Sequence, residues 1–208
     1  MKQRFSSLDV KVIAHELSSS LVSLRLSNIY DLSSKILLFK FAKPDNKKQL
    51  LIDSGFRCHL TEFARTTAAS PSIFVQKLRK VLKTRRLTAI SQIGTDRIIE
   101  FQFSDGLYRI YLEFFAGGNV ILTDSELKIL TLLRNVSEGE GQEPQRPGLT
   151  YSLENRQNYS GIPPLTKDRL RGALQAIAEK NATSATATKK IKKKIGRRAE
   201  KRASYYNK

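Results

Sequence analysis

Cysteine and histidine are nearly missing from this sequence, and each shortage removes a class of chemistry. One cysteine, Cys58, excludes an internal disulfide and a paired-thiolate metal site, which fits a reducing compartment. His15 and His59 are the only histidines, too few with one thiol for a zinc centre, so we expect no metal and no cofactor. No apolar run approaches the ~20 residues of a membrane span. The opening Met1-Lys2-Gln3-Arg4-Phe5-Ser6 leads into no apolar signal core, and no internal repeat is visible. These absences lead us to expect a soluble intracellular protein without membrane contact.

Acidic residues are scarce too. Against 37 Lys and Arg there are 19 Asp and Glu, a net charge of +18 over 208 residues. From Leu165 onward 14 basic residues face 3 acidic ones, while the preceding residues still carry +7. That balance favours a polyanion, and RNA before a membrane, because no basic helix here has a bulky apolar face to insert. A hydrophobic content of 40% is enough for one sizeable core plus an appendage.

What is present reads as an α+β chain. Ser6 is an N-cap candidate with Asp9 three residues on, and Leu8, Val10, Val12, Ile13, Leu17 and Leu21 recur at helical spacing. Short strands follow at Arg25 to Tyr30, Ile36 to Phe41, Gln49 to Ile52 and Arg57 to Leu60, suggesting a sheet that folds over on itself. Ser70-Pro71-Ser72 starts a helix through Leu82, with Ile73, Phe74, Leu78, Val81 and Leu82 as its expected buried stripe. Lys77, Arg79, Lys80, Lys83, Arg85 and Arg86 crowd the remainder. They are candidate phosphate ligands, weighed against a merely solvated face.

Leu87 to Gln92 leads into an antiparallel meander between Ile93 and Asp124, closed by a strand from Lys128 to Arg134. Gly117-Gly118-Asn119 is its hairpin turn, and Gly148 to Tyr151 a short return strand. Gly94-Thr95-Asp96-Arg97 puts an acid and a base side by side; neighbours on a strand point to opposite faces, so mutual pairing does not automatically explain them. The bland reading of Asp96 and Arg97 is a turn aspartate beside an unrelated surface arginine. That of Asp9 is a carboxylate serving the helix end. We divide the chain into a β-sandwich domain over 1–160, a linker and helix over 161–188, and a basic tail over 189–208.

Several motifs occur in an order that resembles the NFACT family: MKQRFSSLDVKVIAHEL, NIYDL, LIDSGFRCHLT, the Ser-Pro-Ser-led basic helix, IGTDRIIEF and LEFFAGGNVILTD. The resemblance implies a β-sandwich with flanking helices, like the amino-terminal domain of formamidopyrimidine-DNA glycosylase. It also implies binding to the split large ribosomal subunit that still holds peptidyl-tRNA, help in recruiting an E3 ubiquitin ligase, and recruitment of alanyl- and threonyl-tRNA for peptide extension without mRNA. Bond-making would then belong to the ribosome, so the chain is not expected to be an enzyme. The expected location is ribosome-associated and cytoplasmic, with the nucleus as a second site.

The family's functional acid falls on Asp9, and its Asp-Arg pair for tRNA on Asp96 and Arg97. Residues 195–208 depart from the family pattern, which suggests a fragment or truncated product without the coiled coil tied to ligase recruitment. A glycosylase reading fails on chemistry, since Lys2 and Gln3 stand where that activity needs proline and glutamate. A protein adaptor without RNA contact is the remaining alternative. The RNA reading carries a geometric expectation: the amino end of the first helix and the Asp96-Arg97 turn share one face.

Overall fold

The computed structural model describes residues 4–68, 70–139, 143–153 and 166–178. The chain divides into two compact units, Met1–Ser160 and Gly161–Lys208. In the first unit helix α1 (Ser7–Leu21) is followed by β1 (Arg25–Asp31), β2 (Ile36–Lys43), β3 (Asn46–Asp53) and β4 (Arg57–Leu60). Helix α2 (Ile73–Leu82) comes next, then β5 (Leu87–Gln92), β6 (Ile98–Phe103), β7 (Tyr108–Glu113), β8 (Asn119–Asp124) and β9 (Ile129–Leu132). Every pairing is antiparallel and sequential, giving a four-stranded sheet β1-β2-β3-β4 and a five-stranded sheet β5-β6-β7-β8-β9. Short turns leave each strand nowhere to pair except against the one just made.

The inner faces share one core. Leu26, Phe39, Phe41 and Ile52 of the first sheet join Phe101, Phe103, Leu112 and Leu122 of the second, together with the apolar faces of α1 and α2. The alternation that turns Phe101 and Phe103 inward turns Glu100 and Gln102 outward. That outer face is not simply wet. Ile98, Tyr111, Ile121, Ile129, Leu132 and Tyr151 form a second, smaller core beneath the segment after β9. The expected return strand is a single bridge, Lys128 to Thr150, whose segment serves mainly to carry Tyr151 under the sheet.

Two expectations about the helices are corrected. On α1, Val10, Ile13, Ala14, Leu17 and Leu21 are buried, but Leu8 and Val12 are each 59% exposed. One face of the helix covers the sheet, and positions 8 and 12 lie on the other. On α2 the buried positions are Val75, Leu78 and Leu82, with Phe74 and Val81 half-buried and Ile73 exposed. Ser72, the last residue of the expected Ser70-Pro71-Ser72 start, is the N-cap, its side chain accepting the Val75 backbone N–H.

In the second unit residues 167–178 are helical, with the Thr166 hydroxyl accepting the Arg169 backbone N–H. The expected linker at Ser160 to Pro164, the end of that helix, and the basic run Lys189 to Lys194 lie outside the described residues.

Cys58 is fully buried in the main core, and burial first, then the charge of Glu16, raises its thiol pKa well above the usual value. A thiol that ionises only in the unfolded chain favours unfolding once pH passes the unfolded value of ~8.5, so its contribution falls as pH rises from there. We expect no reaction with a thiol reagent at pH 8 in the folded protein and one equivalent per chain after denaturation. Rapid labelling without denaturant would contradict this burial.

Candidate nucleic-acid interface

The Asp96-Arg97 turn is fastened to the first turn of α1. The Ser6 hydroxyl caps α1 by accepting the Asp9 backbone N–H, and Asp9 Oδ2 accepts the Ser6 backbone N–H at 2.7 Å, completing a capping box. One residue on, the Ser7 hydroxyl donates to the Thr95 carbonyl. Gln92 then bridges both elements: its Nε2 donates to the Ser7 carbonyl at 3.0 Å and to the Asp96 carbonyl at 2.8 Å. The turn itself is closed by Asp96 N–H to the Ile93 carbonyl at 2.9 Å, with Gly94 at φ +53° supplying the reversal. Residues eighty-odd positions apart are therefore held within hydrogen-bonding reach.

The carboxylate of Asp96 does not pair with the neighbouring guanidinium. Its Oδ1 accepts the Arg97 backbone N–H at 2.7 Å, while the Arg97 carbonyl accepts from Phe114 N–H at 2.9 Å. The backbone of Arg97 is thus held from both sides. Among the described residues its guanidinium, on a half-buried residue, has no hydrogen-bond or ionic partner. A fixed backbone beneath an uncommitted planar fork can pair with a phosphate or stack on an unpaired base. Asp9 has the structural role that sequence reasoning named as the bland alternative, and it sits in the same turn of α1 as the Ser7 contact.

The six basic candidates on and after α2 separate into two groups. Arg79 donates through Nε to the Ile29 carbonyl at 2.7 Å and lies over the Tyr30 ring, 5.1 Å from its centre. Arg85 donates to the Val81 carbonyl at 2.6 Å and covers the Tyr108 ring at 4.4 Å. Both guanidiniums hold the helix to the sheets. Lys77, Lys80, Lys83 and Arg86 are exposed. Asp31 steadies the other end by accepting the backbone N–H and hydroxyl of Ser72, each at 2.8 Å. The NIYDL stretch is thereby revealed as the clamp for α2.

Sequence reasoning missed a contact between the two sheets. The β3–β4 turn and the β7–β8 turn meet backbone to backbone at Gly55 and Gly118, at φ +82° and +71°. Arg4 reaches this junction, donating to the Ala116 carbonyl at 3.1 Å and lying 4.9 Å from the Phe56 ring centre. Arg134 covers the other side: a side chain on Gly117 would meet its Cζ and Nη2 at 3.2 Å. The available signal was a pair of turn glycines, which does not say what approaches them. Among the described residues, no group of three or more His, Cys, Asp or Glu side chains is placed to hold a metal ion.

Comparison with known proteins places this architecture. The fold aligns with the crystal structure of the N-terminal domain of fibronectin-binding protein PavA from Streptococcus pneumoniae, with a TM-score of 0.65 and 25% identity, covering 82% of this chain and 72% of that one. Ribosome quality control complex subunit 2 of Schizosaccharomyces pombe is 45% identical over 192 residues, 86% of this chain and 19% of the relative. The Saccharomyces cerevisiae protein of that name is 50% identical over 147 residues, 70% of this chain and 14% of its own. The human ribosome quality control complex subunit NEMF is 44% identical over 136 residues, 64% of this chain and 13% of its own. The chain thus spans less than a fifth of the length of these curated relatives. The family model for the NFACT N-terminal and middle domains matches residues 6–196, and the chain belongs to the NFACT family.

Proposed function

We propose that this chain is an RNA-contacting module of ribosome quality control, using the Asp9, Asp96 and Arg97 corner for tRNA and the exposed α2 cations for ribosomal RNA. The observation that carries this reading is the fastening of the α1 amino end to the Asp96-Arg97 turn by Ser7 and Gln92. A structural arginine needs no such support beneath a side chain that bonds to nothing among the described residues. The names of the curated relatives supply the setting. In that setting the chain engages the split large subunit with its trapped peptidyl-tRNA and helps bring alanyl- or threonyl-tRNA for mRNA-independent extension, in the ribosome-associated cytoplasm. The ribosome makes the peptide bond, so this chain binds and positions only. Recruitment of an E3 ubiquitin ligase is assigned to sequence that the longer relatives carry outside the span matched here.

The test is tRNA binding by the full chain with and without Arg97→Glu. Charge reversal at a fixed guanidinium should weaken binding at least tenfold, ~1.4 kcal/mol, while thermal melting stays unchanged because the side chain is not used in folding. Gln92→Ala should also weaken binding, since it releases the turn from α1 while keeping Arg97. Equal affinity of Arg97→Glu and wild type would refute the tRNA role of this corner. For the α2 face, affinity for duplex RNA should fall steeply with salt, and removing Lys77 and Lys80 should flatten that dependence by about 0.9 in log–log slope for each phosphate no longer neutralised. Binding insensitive to salt, together with capture of a protein partner in its place, would favour the adaptor reading.

A further inference from the structure

The two sheets are joined edge to edge where the chain leaves α1 and where it enters β5. Leu26 N–H donates to the Arg85 carbonyl and Leu87 N–H to the Leu24 carbonyl, each at 2.9 Å, so Arg25 and Arg86 face one another in an antiparallel bridge. Because the flanking bonds lie on either side of this pair, it is the non-hydrogen-bonded kind. Such pairs bring opposite residues closest, with Cα atoms ~4.5 Å apart. Like charges directly opposed across strands are destabilising. Both arginines are exposed, and among the described residues neither is in an ion pair. They line an open cleft of about 470 Å³ together with Ser23, Thr88, Ser104 and Asp105.

We infer that this cleft seats a ribose-phosphate unit of RNA, with the phosphate between the Arg25 and Arg86 guanidiniums. The proposal extends the RNA-contacting reading from Arg86, one of the exposed basic candidates, to a cleft that adds Arg25, Thr88 and Asp105, and it rests on that reading. One guanidinium is already oriented: Arg25 Nη1 donates to the Thr84 carbonyl at 2.8 Å, which leaves its remaining N–H groups for a ligand. An anion between the two converts a repulsive pair into charge-assisted bonds on both sides. The class of anion follows from the acidic group nearby. Asp105 sits in the cleft with its backbone N–H donating to the Thr88 hydroxyl at 3.2 Å. A carboxylate there opposes a free phosphate dianion but accepts a hydrogen bond from a hydroxyl, which a ribose 2′-OH donates and deoxyribose lacks. Lys80 on α2 and Lys83 at its end are also exposed, six and three positions before Arg86, cations that an extended polyanion can use and a small ligand does not need.

The experiment measures binding of a single-stranded oligoribonucleotide, the matching oligodeoxyribonucleotide and inorganic phosphate to the full chain, by fluorescence anisotropy and amide chemical shifts. Wild type should prefer RNA over DNA by at least fivefold, with RNA shifting the amides of residues 23–25, 86–88 and 104–105. Arg25→Gln with Arg86→Gln should abolish that preference and lower the salt slope by about 0.7, the value for one single-strand phosphate released from the protein. Asp105→Asn should reduce discrimination against DNA while keeping the phosphate bound. Thermal melting of each variant shows whether the seam remains intact, and Arg86→Gln alone, which breaks no described hydrogen bond, serves if the double variant does not fold. Wild-type affinity in Arg86→Gln, equal binding of RNA and DNA, or full competition by inorganic phosphate overturns the cleft assignment. Failure of the wild type to bind any RNA would overturn the broader reading as well. Wild-type RNA binding that ignores these variants overturns the cleft alone.

Discussion

Gly118→Ala should lower the stability of the first unit by ~2–5 kcal/mol, through two independent causes. Gly118 has φ +71°, a conformation that costs an L-residue with a Cβ ~1–2 kcal/mol. The added Cβ would also stand 2.2 Å from Gly55 Cα and N. Those are backbone atoms of the facing sheet, so no rotamer change relieves the clash; the two hairpin turns must separate. Overpacking of this kind typically costs ~1–3 kcal/mol. For a unit of this size each kcal/mol shifts the midpoint by ~2–4 °C, so thermal melting should fall by roughly 4–20 °C. Gly139→Ala is the matched control, because a Cβ there meets nothing within 4 Å. A Gly118→Ala protein melting with wild type would mean that the turns do not touch in solution.

The second large effect is expected at Glu113, only 3% exposed on the outer face of the five-stranded sheet. Its Oε1 accepts the Gln145 amide at 3.0 Å and the Tyr151 hydroxyl at 2.8 Å. Gln145 Oε1 in turn accepts from Asn119 Nδ2 at 2.8 Å, and the Tyr151 ring packs 4.4 Å from that of Tyr111. The carboxylate is thus the shared acceptor that ties the segment after β9 to the sheet. Glu113→Ala leaves two buried donors without it, at ~1–3 kcal/mol each, and opens a cavity besides. We expect a total destabilisation of ~3–5 kcal/mol and faster amide exchange at residues 145–151. Tyr151→Phe, which removes one donor along with its need for an acceptor, should cost ~1 kcal/mol. Equal effects of the two substitutions would show that the network is not what fastens this segment.

Glu100 is the second buried carboxylate of that face, and its surroundings show why such residues are hard to read in advance. Arg109 Nη1 donates to it at 2.7 Å, Tyr111 Oη at 2.9 Å and Gln102 Nε2 at 2.8 Å. Burial, followed by the Glu100 charge, raises the Tyr111 pKa, and the hydrogen bond to Glu100 does the same for Arg109. In the sequence these residues alternate with apolar ones, the ordinary mark of a strand with one wet face. Nothing local signals that Tyr111, which donates to Glu100, is itself packed against the later Tyr151.

Strand and helix placement was legible because it depends on neighbours a few residues away. Ser6 with Asp9 marked the start of α1, and the glycine-bearing turns marked each hairpin. Adjacent antiparallel strands can pair without long-range information. The errors fell where a residue's surroundings come from elsewhere. Leu8, Val12 and Ile73 are apolar and correctly spaced, yet which side of a helix meets a sheet depends on the sheet. Arg79 and Arg85 are basic like Lys77 and Lys80, but proximity to Tyr30 and Tyr108 commits them to packing.

An α+β chain of sequential antiparallel strands, an excess of positive charge, an N-capped first helix and the motifs of the family could all be read along the chain. Those properties follow from composition, local hydrogen bonding and the periods of side-chain direction. The closed fold was needed to see that Gln92 and Ser7 join Asp96-Arg97 to the turn containing Asp9, that Gly55 meets Gly118, and that Arg25 opposes Arg86. Each brings together residues tens of positions apart, when two sheets with separate local instructions close over one core. Such closure depends on the twist and packing of the whole unit, which no short stretch encodes.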